Sequence, residues 1–128
     1  VSGRNFGEAD IPIVRLGDVY LMRAEARLRK GDAAAALTDV NAVRTSRTAT
    51  GVGRALSSVN LDQLFRERGF ELYWELQRRT DMVRFGKFES TWTEKASTDR
   101  NKRVFPIPQT AIDGASNLPG YLKQNPGY

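Results

Sequence analysis

Two helical patterns separated only by Gly31 and Asp32 constrain this chain more than any other feature. From Ile13 to Lys30, Leu16, Tyr20, Ala24 and Leu28 recur at four-residue steps, and Val19, Met22 and Ala26 widen the stripe. That spacing predicts one apolar face of a helix. Arg27, Arg29 and Lys30 gather in the last turn, where cations complement the negative pole of the helix. Gly31 can take the left-handed backbone that closes a helix, and Asp32 can accept from the first amides of the next. From Ala33 to Thr45 the alanines favour helix, with Ala36, Leu37, Val40 and Val43 as the buried stripe. Two helices joined by two residues must fold back as an antiparallel hairpin. Small alanines on the facing sides let the backbones approach closely.

The second organising stretch is Leu61 to Gly86, LDQLFRERGFELYWELQRRTDMVRFG. Leu61, Leu64, Phe65, Leu72, Leu76, Met82, Val83 and Phe85 recur mostly at three- and four-residue steps, predicting a helix with Trp74 in or near the core. Asn60 can cap its start, and Gln63 can return a bond to the capping amide. Gly69 weakens the helix by about 1 kcal/mol relative to alanine, so a bend or close contact is expected there. Thr80-Asp81 reads as a break and a fresh cap, giving a long helix followed by a short one. Glu67, Arg68, Glu71, Arg78, Asp81 and Arg84, with Arg44 upstream, mix both signs closely. They form the expected structural ion-pair network, because arginine's planar fork suits carboxylates and backbone carbonyls.

The remaining segments are less regular. Val1 to Pro12 is polar with two glycines and reads as an extended lead-in. Thr45 to Asn60 is rich in Ser, Thr and Gly and reads as a loop, as does Phe88 to Lys102. From Arg103 on, Pro106 and Pro108 exclude a regular helix, and Thr110 to Ile112 can form a single turn. Phe105, Ile107, Ile112, Leu118, Tyr121, Leu122 and Tyr128 would let this tail adhere to the helices as a strap. The expected fold is mainly α: a helical hairpin, a long and a short helix, and an extended C-terminal strap, all in one domain over residues 1–128.

Composition excludes several functions. There is no cysteine, hence no disulfide or thiol chemistry, and no histidine, which removes the commonest general base and metal ligand together. A net charge of +5 would prompt a nucleic-acid reading. Yet the arginines lie beside acids rather than in a block of one sign, so no nucleic-acid partner is expected. Glu67, Glu71 and Glu75 could in principle serve glycoside hydrolysis, which needs two carboxyls facing across a bond. Here they run along one helix beside arginines that keep them ionised. No phosphate loop, nucleophile motif or metal-ligand cluster occurs, so neither an enzyme nor a cofactor is expected. No apolar run is long enough to span a membrane.

Four blocks carry a family resemblance. Glu67, Arg68, Glu71, Leu72, Glu75, Arg78, Asp81, Met82, Arg84, Phe85, Gly86 and Lys87 resemble the C-terminal signature of the SusD/RagB family. Asn41, Val43 and Arg44, with Arg47 after them, resemble that family's N-x-V-R element. Phe105-Pro106-Ile107-Pro108 resembles its F-P-I-P. Asn117 with Gln124-Asn125-Pro126-Gly127-Tyr128 resembles its closing motif. The hairpin also resembles a tetratricopeptide unit at Ala24, Gly31-Asp32 and Ala36, with Arg27 standing where an aromatic is common. Other departures are Gly69 for a usual arginine, Leu76 for a common glycine, and Phe85 for tryptophan.

The resemblance implies the C-terminal helical part of a longer outer-membrane, surface-exposed lipoprotein. Such a protein binds a glycan or other nutrient without catalysis and partners a SusC-like TonB-dependent transporter. It also implies that oligosaccharide is bound mainly by parts outside these residues, so that this chain alone binds it weakly or not at all. Trp92, in the Ser/Thr-rich loop, is the one carbohydrate-binding candidate, since an exposed indole can pack on a sugar ring. The alternative is a general tetratricopeptide-type scaffold for proteins or peptides. A lipoprotein signal on the parent would favour the first, a cytosolic start the second.

Overall fold

Local chemistry at the helix ends decides where the chain turns. The computed structural model describes residues 13–46, 54–115, 118 and 120–128. The lead-in 1–12, Arg47 and Asn117 lie outside the described residues. α1 spans Leu16–Arg29 and α2 Ala33–Thr45. Between them Gly31 takes φ +87, with its amide on the Leu28 carbonyl at 3.0 Å and the Asp32 amide on the Arg27 carbonyl at 2.9 Å. That crossed pair of bonds satisfies carbonyls the helix end would otherwise orphan. The Asp32 carboxylate accepts from the Ala35 amide at 3.0 Å, so the expected stop and start both form. α3 spans Leu61–Glu71 and opens with the expected reciprocal cap. Asn60 accepts from the Gln63 amide at 2.8 Å, and the Gln63 side chain accepts from the Asn60 amide at 2.9 Å.

α4 spans Arg78–Arg84, a 3-10 turn covers Arg100–Arg103, and α5 spans Gln109–Gly114. Among the described residues the extended pairing is a single antiparallel bridge between Trp92 and Lys95. The molecule is therefore mainly α, as the sequence predicts. The chain divides into two units, Val1–Arg78 and Arg79–Tyr128.

In the first unit α1 packs on α2 and α3. Ala24 and Ala36 are both 0% exposed, which is the close approach the alanines allow. Leu21, Val40, Val43, Val59, Leu64 and Leu72 complete the core. The α1 stripe is turned from the one expected: Leu16, Val19 and Met22 face solvent, while Asp18, Leu21, Ala24 and Glu25 face inward. The cause is ionic, since Asp18 is drawn in by Arg68 of α3.

α3 also ends earlier than the apolar spacing predicts. Trp74 and Leu76 both adopt left-handed backbone, at φ 65 and φ 60, so residues 72–77 form a turn. Each costs roughly 1–3 kcal/mol for a residue with a side chain. As a result Trp74 is 85% and Leu76 95% exposed, neither in the core as expected. Thr80 and Asp81 consequently lie inside α4 rather than at its start. A distant side chain explains the early stop. Arg15 donates to the Glu71 backbone carbonyl, which a continuing helix would offer to the Glu75 amide. That amide bonds the Leu72 carbonyl instead, at 3.1 Å.

In the second unit Arg79 of α4 donates to the carbonyls of Lys102 and Arg103, at 2.6 and 3.2 Å. Its guanidinium lies 4.9 Å from the centre of the Phe88 ring and 4.3 Å from that of Phe105. The tail closes on itself. The Gln124 amide accepts from the Ile107 amide and donates to its carbonyl, at 2.8 and 2.9 Å. Asn125 donates to the Phe105 carbonyl and Tyr128 to that of Val104. Side-chain amides thus do the work of a paired strand where Pro106 and Pro108 have no N–H to offer.

Candidate functional site

The network predicted from sequence is charged, and the structure places each member. Arg44 on α2 donates to the Arg54 carbonyl at 2.6 Å and to the carboxylate of Glu67 on α3. One turn earlier Asn41 donates to the Leu56 carbonyl and accepts from its amide, at 3.0 and 2.8 Å. Asn41 and Arg44 together hold residues 54–56 against α2, which gives the N-x-V-R element a physical role. Arg68 pairs with Asp18 at 2.8 Å and Arg84 with Asp81 at 2.7 Å. Glu71 pairs with Arg15, whose other guanidinium edge reaches Glu75 at 2.9 Å. The bond to Glu75, chiefly, holds the Arg15 guanidinium above its ordinary pKa.

Arg78 follows a different pattern. It donates to the Phe65 carbonyl at 2.8 Å and lies 3.7 Å from the centre of the Phe65 ring. A side chain at Gly69 would bring its Cβ within 2.8 Å of the Arg78 guanidinium, so the glycine makes room for it. Glu75, one turn before Arg78 and Arg79 in sequence, is turned to Arg15 instead.

Sequence reasoning missed five of the charges involved: Arg15, Asp18, Arg23, Glu25 and Asp39. Asp39 is 1% exposed inside α2 and takes Arg23 and Arg27 at 2.6 and 2.7 Å. Bonding to Asp39 raises the Arg23 pKa. Arg27 also donates to the Ala35 carbonyl at 3.0 Å, which is what it does in place of an aromatic. Glu25 is bonded by Arg29 at 2.9 Å. Acids inside an otherwise apolar helical face were the available signal. No buried side-chain N or O among the described residues lacks a partner.

Trp92 sits in a tight turn, its amide and carbonyl bridged to Lys95 at 3.1 and 2.9 Å, with Glu94 at φ 66. The Lys95 ammonium lies 4.6 Å from the indole centre and is tethered to the carbonyls of Ser90 and Ser97. The indole is 47% exposed, and one side of it is taken by a cation.

The turn after α3 is more open. Phe70, Tyr73 and Trp74 are 67%, 73% and 85% exposed, and the Tyr73 and Trp74 rings are tilted at 60° with centres 6.1 Å apart. Beside them runs a groove of about 550 Å³ lined by Arg66, Arg68, Gly69, Phe70, Leu72, Tyr73 and Arg78. The periodic reading of α3 hid this surface.

The described residues contain no cluster of acids that could hold a metal ion, and Asp18, Glu67 and Glu71 are engaged by arginines. The class defined is a helical scaffold braced by internal ion pairs. More particularly, the chain belongs to the SusD family, whose profile matches residues 1–128. It is 34% identical to the Starch-binding protein SusD of Bacteroides thetaiotaomicron over 137 residues, an alignment covering 100% of this chain and 23% of that protein. The chain therefore spans less than a quarter of the length of this curated relative.

Proposed function

We propose that this chain is a non-catalytic helical part of a surface glycan- or nutrient-binding protein that delivers its ligand to a TonB-dependent outer-membrane transporter. The observation that carries this reading is the family match over the whole chain, with a relative whose name is starch-binding. The geometry supports a bracing role. In this reading Arg44, Glu67, Arg68, Glu71, Arg78, Asp81 and Arg84 brace helices and loops, as their bonds to carbonyls and to charged partners support. No helix among the described residues is long and apolar enough to cross a membrane. The glycan contacts lie mainly outside these residues, with Trp92 a secondary candidate.

The test is calorimetry of the full-length protein against neutral and acidic oligosaccharides, together with co-purification from outer membranes. Saturable binding of one glycan class and recovery of a TonB-dependent transporter are expected. Failure of both would overturn the reading and leave a general tetratricopeptide-type scaffold as the better one.

A further inference from the structure

The turn that ends α3 carries backbone strain at two residues that gain no burial from it. Trp74 and Leu76 are left-handed residues bearing large side chains, and both project into solvent with Phe70 and Tyr73 beside them. Strained backbone persists where something else over-determines it, and clustered exposed aromatics mark a surface that something covers. Within this unit the strain has internal causes at the two ends of the turn. Arg15 holds Glu71 and Glu75, and Arg78 folds back onto Gly69 and Phe65, which fixes the ends of the turn. Nothing in that bracing requires the tips to be aromatic.

We infer that the surface formed by Phe70, Tyr73, Trp74 and Leu76 is an intramolecular docking face. It is covered in the full-length protein by polypeptide outside these 128 residues that presents apolar side chains flanked by carboxylates. Two observations choose this occupant. The first is length: the chain matches 23% of its starch-binding relative, so most of a protein of that size is available to cover the face. The second is charge: the adjoining groove is lined by Arg66, Arg68 and Arg78 and by no acid. Arg68 is neutralised by Asp18, but Arg66 stays exposed on the rim, where an acidic group of the covering segment would meet it. The inference is independent of which ligand the protein captures. It rests on the family match and on the geometry of the turn.

The test is made on the full-length protein labelled with 5-fluorotryptophan, its Trp74 resonance assigned by Trp74→Phe. A soluble paramagnetic agent is added, and Trp92, half exposed in the turn described above, serves as the internal reference. Relaxation enhancement at Trp74 at least fivefold below that at Trp92 is expected, unchanged on tenfold dilution and without added glycan. Enhancement at Trp74 equal to or above that at Trp92 overturns the inference, as does a gene encoding no further polypeptide. Protection lost on dilution would make the occupant a second copy, and protection appearing only with oligosaccharide would make it the ligand. Either outcome also overturns it. Should Trp74→Phe fail to fold, Trp74→Tyr assigns the same resonance and serves the same comparison. Glycan binding measured on the same preparation reports on the proposed function separately, because either result can occur with Trp74 covered or open.

Discussion

Arg68 and Asp18 stand 50 positions apart in sequence and meet at 2.8 Å inside the first unit, Arg68 1% and Asp18 5% exposed. A charge in such a place is tolerable only when paired, because the loss of hydration must be offset by close partners. Asp18→Asn is therefore expected to destabilise the protein by about 3–5 kcal/mol, the cost of an uncompensated buried charge. Arg68→Met should cost a similar amount, since it strands the carboxylate. The pair Asp18→Leu with Arg68→Met should recover much of the loss. Urea denaturation of the three variants checks this, and single variants that melt like wild type would show that the pair contributes nothing.

The same contact shows what was legible in the sequence and what was not. Caps were legible because their chemistry is local: Gly31, Asp32, Asn60 and Gln63 all act within a few residues of themselves. The inward turn of Asp18 was not, because an apolar-spacing argument assigns an acid to solvent. The end of α3 was hidden for a similar reason. Leu72 and Leu76 continue a helical period, whereas the residue that competes for the Glu71 carbonyl is Arg15, 56 positions away. Periodicity records what a segment prefers alone, and here a long-range hydrogen bond decides against it. Of the candidate site, the arginines and acids named from sequence were found by type, while partners such as Asp18 of Arg68 and Arg15 of Glu71 lay far along the chain.

Gly31 should tolerate no β-branched replacement. Its φ of +87 lies in the left-handed region, where a Cβ meets the following carbonyl. Open space surrounds it, so the cost is conformational rather than steric crowding by neighbours. Gly31→Val should lower stability by about 1–2 kcal/mol and Gly31→Ala by about 1 kcal/mol. Asp32→Ala should cost about 1 kcal/mol through the lost cap. Thermal melts of the three variants give the ordering.

Leu76 presents the opposite opportunity. It carries φ 60 at 95% exposure, a backbone conformation that glycine adopts without cost. Leu76→Gly removes the strain and forfeits no burial in this unit, so a gain of about 1 kcal/mol is expected. The gain should appear as a raised Tm. A lowered Tm in the full-length protein but not in this chain would instead show that Leu76 is buried there.

Acid should weaken the second unit through Glu89. Its two carboxylate oxygens take Arg103 at 2.5 and 2.7 Å, and that bond holds the Glu89 pKa below its ordinary value. A depressed folded-state pKa means the stabilisation is fully present above the unfolded glutamate value of about 4.3 and is lost as pH falls through the folded value. Carbon-detected titration should show Glu89 protonating below the ordinary glutamate value. Glu89→Gln should abolish its share of the acid sensitivity. A Glu89 that titrates at the ordinary glutamate value would show the pair is open in solution.

Trp92 is the last question, because it alone was proposed from sequence as a place for sugar. A pyranose packs on an indole through the apolar face of its ring and needs polar groups near by for its hydroxyls. One side of this indole already carries the Lys95 ammonium at 4.6 Å, and that ammonium is tied to the carbonyls of Ser90 and Ser97. A sugar arriving there would have to displace a tethered cation and separate it from two acceptors. In sequence the indole is flanked by Thr91 and Thr93, with Glu94 in left-handed backbone, and a single exposed indole makes no aromatic platform. Trp92→Ala is accordingly expected to leave the glycan affinity of the full-length protein within twofold of wild type, and this chain alone should show no saturable binding. Calorimetry and tryptophan fluorescence against a panel of oligosaccharides measure both. Saturable binding by this chain that disappears in Trp92→Ala would place a sugar site on the turn, with Lys95 acting as a hydrogen-bond donor to the ligand rather than as a cover for the ring.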